Sequence, residues 1–216
     1  LLGDLLNAPR DDAAELYAAF RAEIQEAAGD VPLLVVPGNH DGPGCLAALG
    51  AAPGGHTVGG VRFFVFADTY DAADACTRPC DQREAFAAFA SAGDGPLVAL
   101  QHNPVHPVVR SDHYPYMHTN RDEVLADYRR AGVTLLLSGH YHAGQGPANL
   151  DGTRYYSVPA ACEEPYCYAL VRFRGREVDI AEHMLRRRST VRLVDCHTHT
   201  EFAYCGANVT AAAVVE

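Results

Sequence analysis

The 216-residue sequence has no apolar run near the ~20 residues that a membrane-spanning helix needs. The candidate runs at 33–36 and 133–137 are strand-sized. Basic charge is scarce too. There are 17 Lys and Arg against 27 Asp and Glu, a formal net charge of −10. No Lys/Arg stripe interleaves with aromatics, which argues against binding a nucleic-acid backbone. The run Arg186-Arg187-Arg188 reads as a solvated strand end or linker. A zinc knuckle needs a CxxC pair, and the sequence has none. The seven cysteines form no regular framework. Cys76/Cys80 and Cys162/Cys167 each have the spacing to close a small loop, but in a chain this long we expect free thiols and a cytoplasmic setting. No secretory leader is visible. The chain opens on Leu1, and its last residues, 211–216, read as a helix cut part-way, so we expect a fragment open at both ends.

The remainder is ordinary for a folded protein. Hydrophobic residues make up 48% and charged residues 20%, enough for a packed core in one large domain, or one domain and part of another. Residues 11–29 read as a helix, with Leu16, Phe20 and Ile24 on one face and Gly29 as its stop. Residues 31–36 are continuously apolar, as in a strand covered on both faces. A short helix is expected at 43–49 and a hairpin from 56–58 to 61–67 through Gly59-Gly60. Helices are expected at 81–92, where Asp81 and Glu84 have capping spacing, and from Asn120 with Glu123 to Gly132. Buried strands follow at 97–100 and 133–137, then short strands at 155–158, 168–173 and 177–181. Strands alternating with amphipathic helices, then a run of strands, predict an α/β sheet finished by antiparallel strands.

In open α/β sheets, ligands collect beyond the carboxyl ends of the strands. Four apolar strand-like runs end in Gly3-Asp4, Gly38-Asn39-His40-Asp41, Gln101-His102-Asn103-Pro104 and Gly139-His140-Tyr141-His142. Much of this set is drawn from the eleven histidines, the compositional oddity of the chain. Carboxylate, amide oxygen and imidazole form a mixed O/N donor set, which suits Mn, Fe or Zn. The glycines let the backbone turn sharply over the sheet edge. Two-metal sites commonly share a carboxylate, and Asp4 is the one carboxylate at a strand end placed to do so.

The order of these four motifs resembles the calcineurin-like metallophosphoesterase superfamily. The resemblance covers residues 3–142, and the strands to about residue 181 fit the rest of that fold: a sandwich of mixed β-sheets flanked by helices. Size and loop lengths look most like the branch related to cyclic-nucleotide phosphodiesterases. The resemblance implies two metal ions, with Asp4 bridging them, Asn39, His102 and His140 completing the second, and His142 on the first. It implies that His40 stands near the phosphate as a proton donor or charge stabiliser, oriented by Asp41. The expected reaction is in-line hydrolysis of a small phosphomonoester or phosphodiester. The family opens with Asp-x-His on its first strand, and nothing precedes Leu1 here, so the piece as given is expected to hold the second metal better than the first and to be inactive alone. A metal-binding scaffold without catalysis and a phosphotriester or pyrophosphate hydrolase are the alternatives. No membrane partner is expected.

A basic, polar stretch at 185–190 reads as a linker between a phosphoesterase domain, 1–184, and a second region, 191–216. Asp195-Cys196-His197-Thr198-His199 follows a short apolar run, and His197 and His199 at i, i+2 face the same side of an extended chain, as a shared metal requires. Three readings apply: a polar loop, an Asp-x-His motif displaced by permutation, or a new domain. The third is preferred, because His197-x-His199-Thr200 resembles the opening of PHP-type metal-dependent hydrolase domains.

Overall fold

The computed structural model describes residues 1–164, 166–184 and 211–215. His197, His199, the Asp195-Cys196 pair and the linker at 185–190 lie outside the described residues. In chain order the elements are α1 (Ala13–Ala28), α2 (Cys45–Leu49), β1 (Gly54–Val58), β2 (Val61–Val65), β3 (Thr69–Tyr70), β4 (Cys76–Thr77), α3 (Cys80–Ser91), β5 (Leu97–Leu100), α4 (Arg121–Ala131), β6 (Leu135–Ser138), β7 (Gln145–Leu150), β8 (Thr153–Ser157), β9 (Cys167–Arg174), β10 (Glu177–Met184) and β11 (Ala211–Val215). No helix among the described residues is long and apolar enough to cross a membrane.

The α/β expectation holds. A six-stranded mixed sheet runs β1-β2-β5-β6-β8-β7. Its β2–β5–β6–β8 centre is parallel and its two outer pairs are antiparallel. The central strands β2, β5 and β6 are buried throughout, as parallel strands covered on both faces must be. Alternation divides β2 between two cores. Val61, Phe63 and Val65 pack with Ala169, Val171 and Phe173 of β9, while Phe64 meets Phe86 of α3 and Tyr128 of α4 on the opposite face. The result is a layered sandwich: a three-stranded sheet, the six-stranded sheet, then α3 and α4. A third cluster, including Leu5, Tyr17, Phe20 and Val35, seats α1 and α2.

Several local expectations are corrected. Residues 31–36 form no regular strand, but Leu1 N–H donates to the Leu34 carbonyl at 2.7 Å and Val36 N–H to the Leu1 carbonyl at 3.0 Å. That short pairing brings the Gly3-Asp4 and Gly38–Asp41 turns side by side. Residues 211–215 are a strand paired parallel to β9, not a helix; Val214 and Val215 are β-branched, which suits the extended form. Asn120 occupies the N-cap position of α4 without capping it. Its amide is drawn away to Arg78, accepting from Arg78 N–H at 3.1 Å and donating to the Arg78 carbonyl at 2.9 Å. Pro79, not Asp81, precedes α3. β7 was not anticipated: Pro147 interrupts it and a register shift separates Gln145 from Ala148, so the alternating pattern of a regular strand is missing.

The segment following β5 is locked by a buried polar network. Arg78 makes a two-point ion pair with Asp68, Nε–Oδ1 at 2.7 Å and Nη2–Oδ2 at 2.9 Å, and both side chains are 1% exposed. Arg78 Nη2 also donates to Gln101 Oε1 at 3.0 Å, and Tyr128 donates its hydroxyl to the same oxygen. Tyr70 donates to Asn103 Oδ1 at 2.9 Å. Gln101 and Asn103 are thus pinned on either side of His102. Burial opposes ionisation of Asp68, but the Arg78 and His118 charges and hydrogen bonds outweigh it and hold the carboxyl well below the usual range.

A group held low in the fold stabilises it above its unfolded value, near pH ~3.9, and this contribution is lost as pH falls through the folded value. Asp68→Ala is therefore expected to cost about 3–5 kcal/mol at pH 7 by urea unfolding, because it strands a buried guanidinium. The gap to the natural chain should narrow as pH falls below ~4. An unchanged gap at acid pH would contradict the assignment.

Candidate metal centre

The ends of β5 and β6 and the irregular turn after residues 1–3 place His102, His140 and Asp4 together, with one donor atom from each within 4.8 Å of the others. The approach depends on glycine. A Cβ on Gly3 would sit 2.4 Å from His102 Nδ1, one on Gly38 would sit 2.1 Å from Asp4 Oδ1, and one on Gly139 would sit 2.8 Å from the Leu2 carbonyl oxygen. Close contact excludes a side chain at all three of these glycines, and Gly3 also takes a left-handed φ of 93°. Asp4 and His140 themselves take left-handed backbone conformations, φ 54° and 62°. Such conformations cost non-glycine residues of order 1–3 kcal/mol and concentrate at functional sites.

His102 is 1% exposed, and its Nδ1–H donates to the Leu2 carbonyl at 2.5 Å. That bond points Nε2 at Asp4 Oδ2, 3.0 Å away, and at His140 Nδ1, 3.1 Å away. Two atoms each roughly 2.1 Å from one ion, at a right angle, stand about 3.0 Å apart, so the spacing suits a shared cation. Burial opposes ionisation of Asp4, but the neighbouring His102, with hydrogen bonds from His102 and from His40 N–H, keeps the carboxyl well below its usual range. His102 is raised: burial opposes its charge, but Asp4 outweighs it. Burial, then repulsion from His102, pushes His140 down to about 3, so its ring is neutral, the form that ligates metals.

Two buried atoms in this region lack a partner: Asn39 Oδ1 and His140 Nε2. An unsatisfied buried polar atom costs about 1–3 kcal/mol, and a cation on Asn39 Oδ1 removes that penalty there. The donor set therefore fits the metal ions that the strand-end motifs imply. His142 lines the same pocket as Asp4, His102 and His140, and its Nδ1 meets Glu163 Oε1 at 2.8 Å. A carboxylate on one ring nitrogen orients the other toward a metal. Glu163 carries no sequence signal.

Asp41 lies elsewhere than expected. Its carboxylate accepts from Asp4 N–H at 2.8 Å, Leu5 N–H at 3.0 Å, Gly38 N–H at 2.9 Å and the Tyr17 hydroxyl at 3.1 Å. These four donors fill its acceptor sites, so it clasps the Asp4 turn and does not orient His40. Burial, reinforced by the nearby Asp4 charge, raises its pKa. His40 is half-buried and contributes its backbone N–H to Asp4 Oδ1 at 3.0 Å. A second cluster of ligand-type residues, Asp68, Cys76 and His118, already holds the Arg78 guanidinium as its cation. Among the described residues, Cys76, Cys80, Cys162 and Cys167 are free thiols.

A mixed sheet that gathers a carboxylate and imidazoles beyond its strand ends defines a metal-binding α/β protein. The model of the calcineurin-like phosphoesterase family matches residues 1–144 of the 216, and the chain belongs to that family. A solved structure of a dimetal phosphatase from Danio rerio is 22% identical over 38% of this chain and 27% of that one, with a TM-score of 0.34, so the match spans about a quarter of that protein. No curated protein matches.

Asp41→Asn tests the clasp. Either orientation of the amide turns an NH2 group against at least one backbone N–H. Stability should fall by about 1–3 kcal/mol in urea, and Mn²⁺ affinity by calorimetry should fall roughly 10–100-fold. Unaltered Mn²⁺ binding would show that the Asp4 turn does not need the clasp.

Proposed function

We propose that residues 1–184 form the hydrolytic domain of a metal-dependent phosphoesterase that cleaves a small phosphomonoester or phosphodiester. The observation that carries this reading is the convergence of Asp4 Oδ2, His102 Nε2 and His140 Nδ1 at 3.0–3.1 Å spacing, beyond the ends of parallel strands. Asp4, Asn39, His102, His140 and His142 would hold two ions of Mn, Fe or Zn. Such ions supply positive charge against phosphoryl oxygens and make water acidic enough to attack at neutral pH.

The chain's own groups do the rest. Asp4 is ionised and held by its neighbours, so it offers a fixed negative charge with no proton to lose. The Leu2 carbonyl fixes the tautomer of His102, and Glu163 orients His142. His40 follows Asn39 directly, and its imidazole is the group we assign to protonate the leaving oxygen. The net charge of −10 disfavours anionic polymers and leaves small esters as the substrate class.

The test uses the intact protein with Mn²⁺ and two chromogenic esters, p-nitrophenyl phosphate and its bis ester. Hydrolysis of either, abolished by a chelator and restored by Mn²⁺, is the expected result; which ester is faster separates monoesterase from diesterase. His40→Ala should lower kcat about 10²–10⁴-fold and leave Mn²⁺ affinity unchanged. Tight Mn²⁺ binding with no turnover of any phosphoester would favour a metal-binding scaffold and defeat this reading.

A further inference from the structure

We propose that Tyr114 is a positioning residue of the metal centre, holding the Asn39 amide so that its carbonyl oxygen faces the cation. The proposal rests on the reading of Asn39 as a ligand. Asn39 lies in the turn after residues 33–36, and Tyr114 lies in the long loop between β5 and α4, 75 positions away. Asn39 Nδ2 donates to the Tyr114 phenol oxygen at 3.1 Å. Its Oδ1 is buried and without a partner. An amide with one lobe hydrogen-bonded and the other buried and bare is oriented for an acceptor-seeking ligand on the bare side, and a cation is such a ligand. Without the phenol, the Nδ2 lobe loses its partner and the amide plane is free to turn.

The phenol is itself held from two sides. Its ring packs on His140 at a centroid distance of 5.4 Å and on Tyr116 at 5.1 Å. Tyr116 also packs on His140, at 5.5 Å. Ser111 Oγ accepts from the backbone N–H of both His113 and Tyr114, at 3.2 and 3.1 Å, and fixes the loop where the ring leaves it. Asn103, next to His102, donates to the Tyr116 carbonyl at 3.1 Å, so the loop is also tied to the end of β5. One aromatic side chain therefore touches two candidate ligands, Asn39 by its hydroxyl and His140 by its face. Partners of this kind, which orient the groups that bind the metal, are worth roughly 10–100-fold in affinity when lost.

Phenylalanine at 114 separates the two contacts, because it keeps the ring on His140 and removes only the hydroxyl. Mn²⁺ affinity of the intact protein is read by electron paramagnetic resonance of free Mn²⁺ for the natural chain, Tyr114→Phe, Asn39→Ala and the double variant, with the melting temperature as a check on folding. The expected result is a loss of about tenfold in Tyr114→Phe, with no further loss when it is added to Asn39→Ala. Natural affinity in Tyr114→Phe overturns the proposal. So does an equal loss in both backgrounds, which is the mark of a general structural effect, and so does Asn39→Ala with unchanged affinity, which removes Asn39 from the ligand set. Ester turnover is assayed separately: a protein that shows the coupling but cleaves no ester unseats the phosphoesterase reading and leaves the role of Tyr114 standing.

Discussion

The hydrogen bond from His102 Nδ1 to the Leu2 carbonyl is the constraint on which the rest of the centre depends. It joins the end of β5 to the irregular segment at the start of the chain through one ring. It sets the tautomer of that ring, and by doing so aims Nε2 at Asp4 and His140 together. Everything nearby serves that approach. Gly3, Gly38 and Gly139 leave out the atoms that would block it. Asp41 gathers the amides of two turns, and the Asp68–Arg78 pair holds Gln101, the residue before His102. The left-handed backbone at Asp4 and His140 shows that the surrounding contacts outweigh local preference at both positions.

Electrostatics follow from the same geometry. Two carboxylates, Asp4 and Asp41, stand on adjacent turns with their pKa values displaced in opposite directions. The difference lies in what surrounds each. Asp4 has an imidazole beside it, whereas Asp41 has mainly neutral amides and a phenol, and the Asp4 charge repels it. Sequence adjacency alone gives no hint of this, since Asp4 and Asp41 meet only through the pairing of Leu1 with Leu34 and Val36.

Much of the architecture was legible because it rests on periodicity and on short-range signals. The 97–100 strand, the Gly59-Gly60 hairpin and the Gly29 and Gly132 helix stops are all where the pattern put them. The ligand-type residues were legible because apolar runs end just ahead of them, with a glycine directly before Asp4, Asn39 and His140. What was not legible depends on contacts distant in sequence. Asn120 looked like a cap and is a clamp on Arg78; Asp41 looked like a partner of His40 and is a clasp on Asp4. Residues 31–36 have the composition of a strand, but among the described residues they form no regular ladder, pairing through Leu34 and Val36 with Leu1. Glu163 and Tyr114 reach the centre from loops, where no periodicity marks a side chain for its role.

The outermost strand of the large sheet is also its least regular. Among the described residues β7 borders only β8, Pro147 has no amide donor to offer, and the register shifts between Gln145 and Ala148. A sheet margin built this way is a poor template for a further strand, so two folded copies of this chain have little to zip together along that border. The irregularity that hid β7 from pattern recognition thus acts as protection against edge-to-edge self-association.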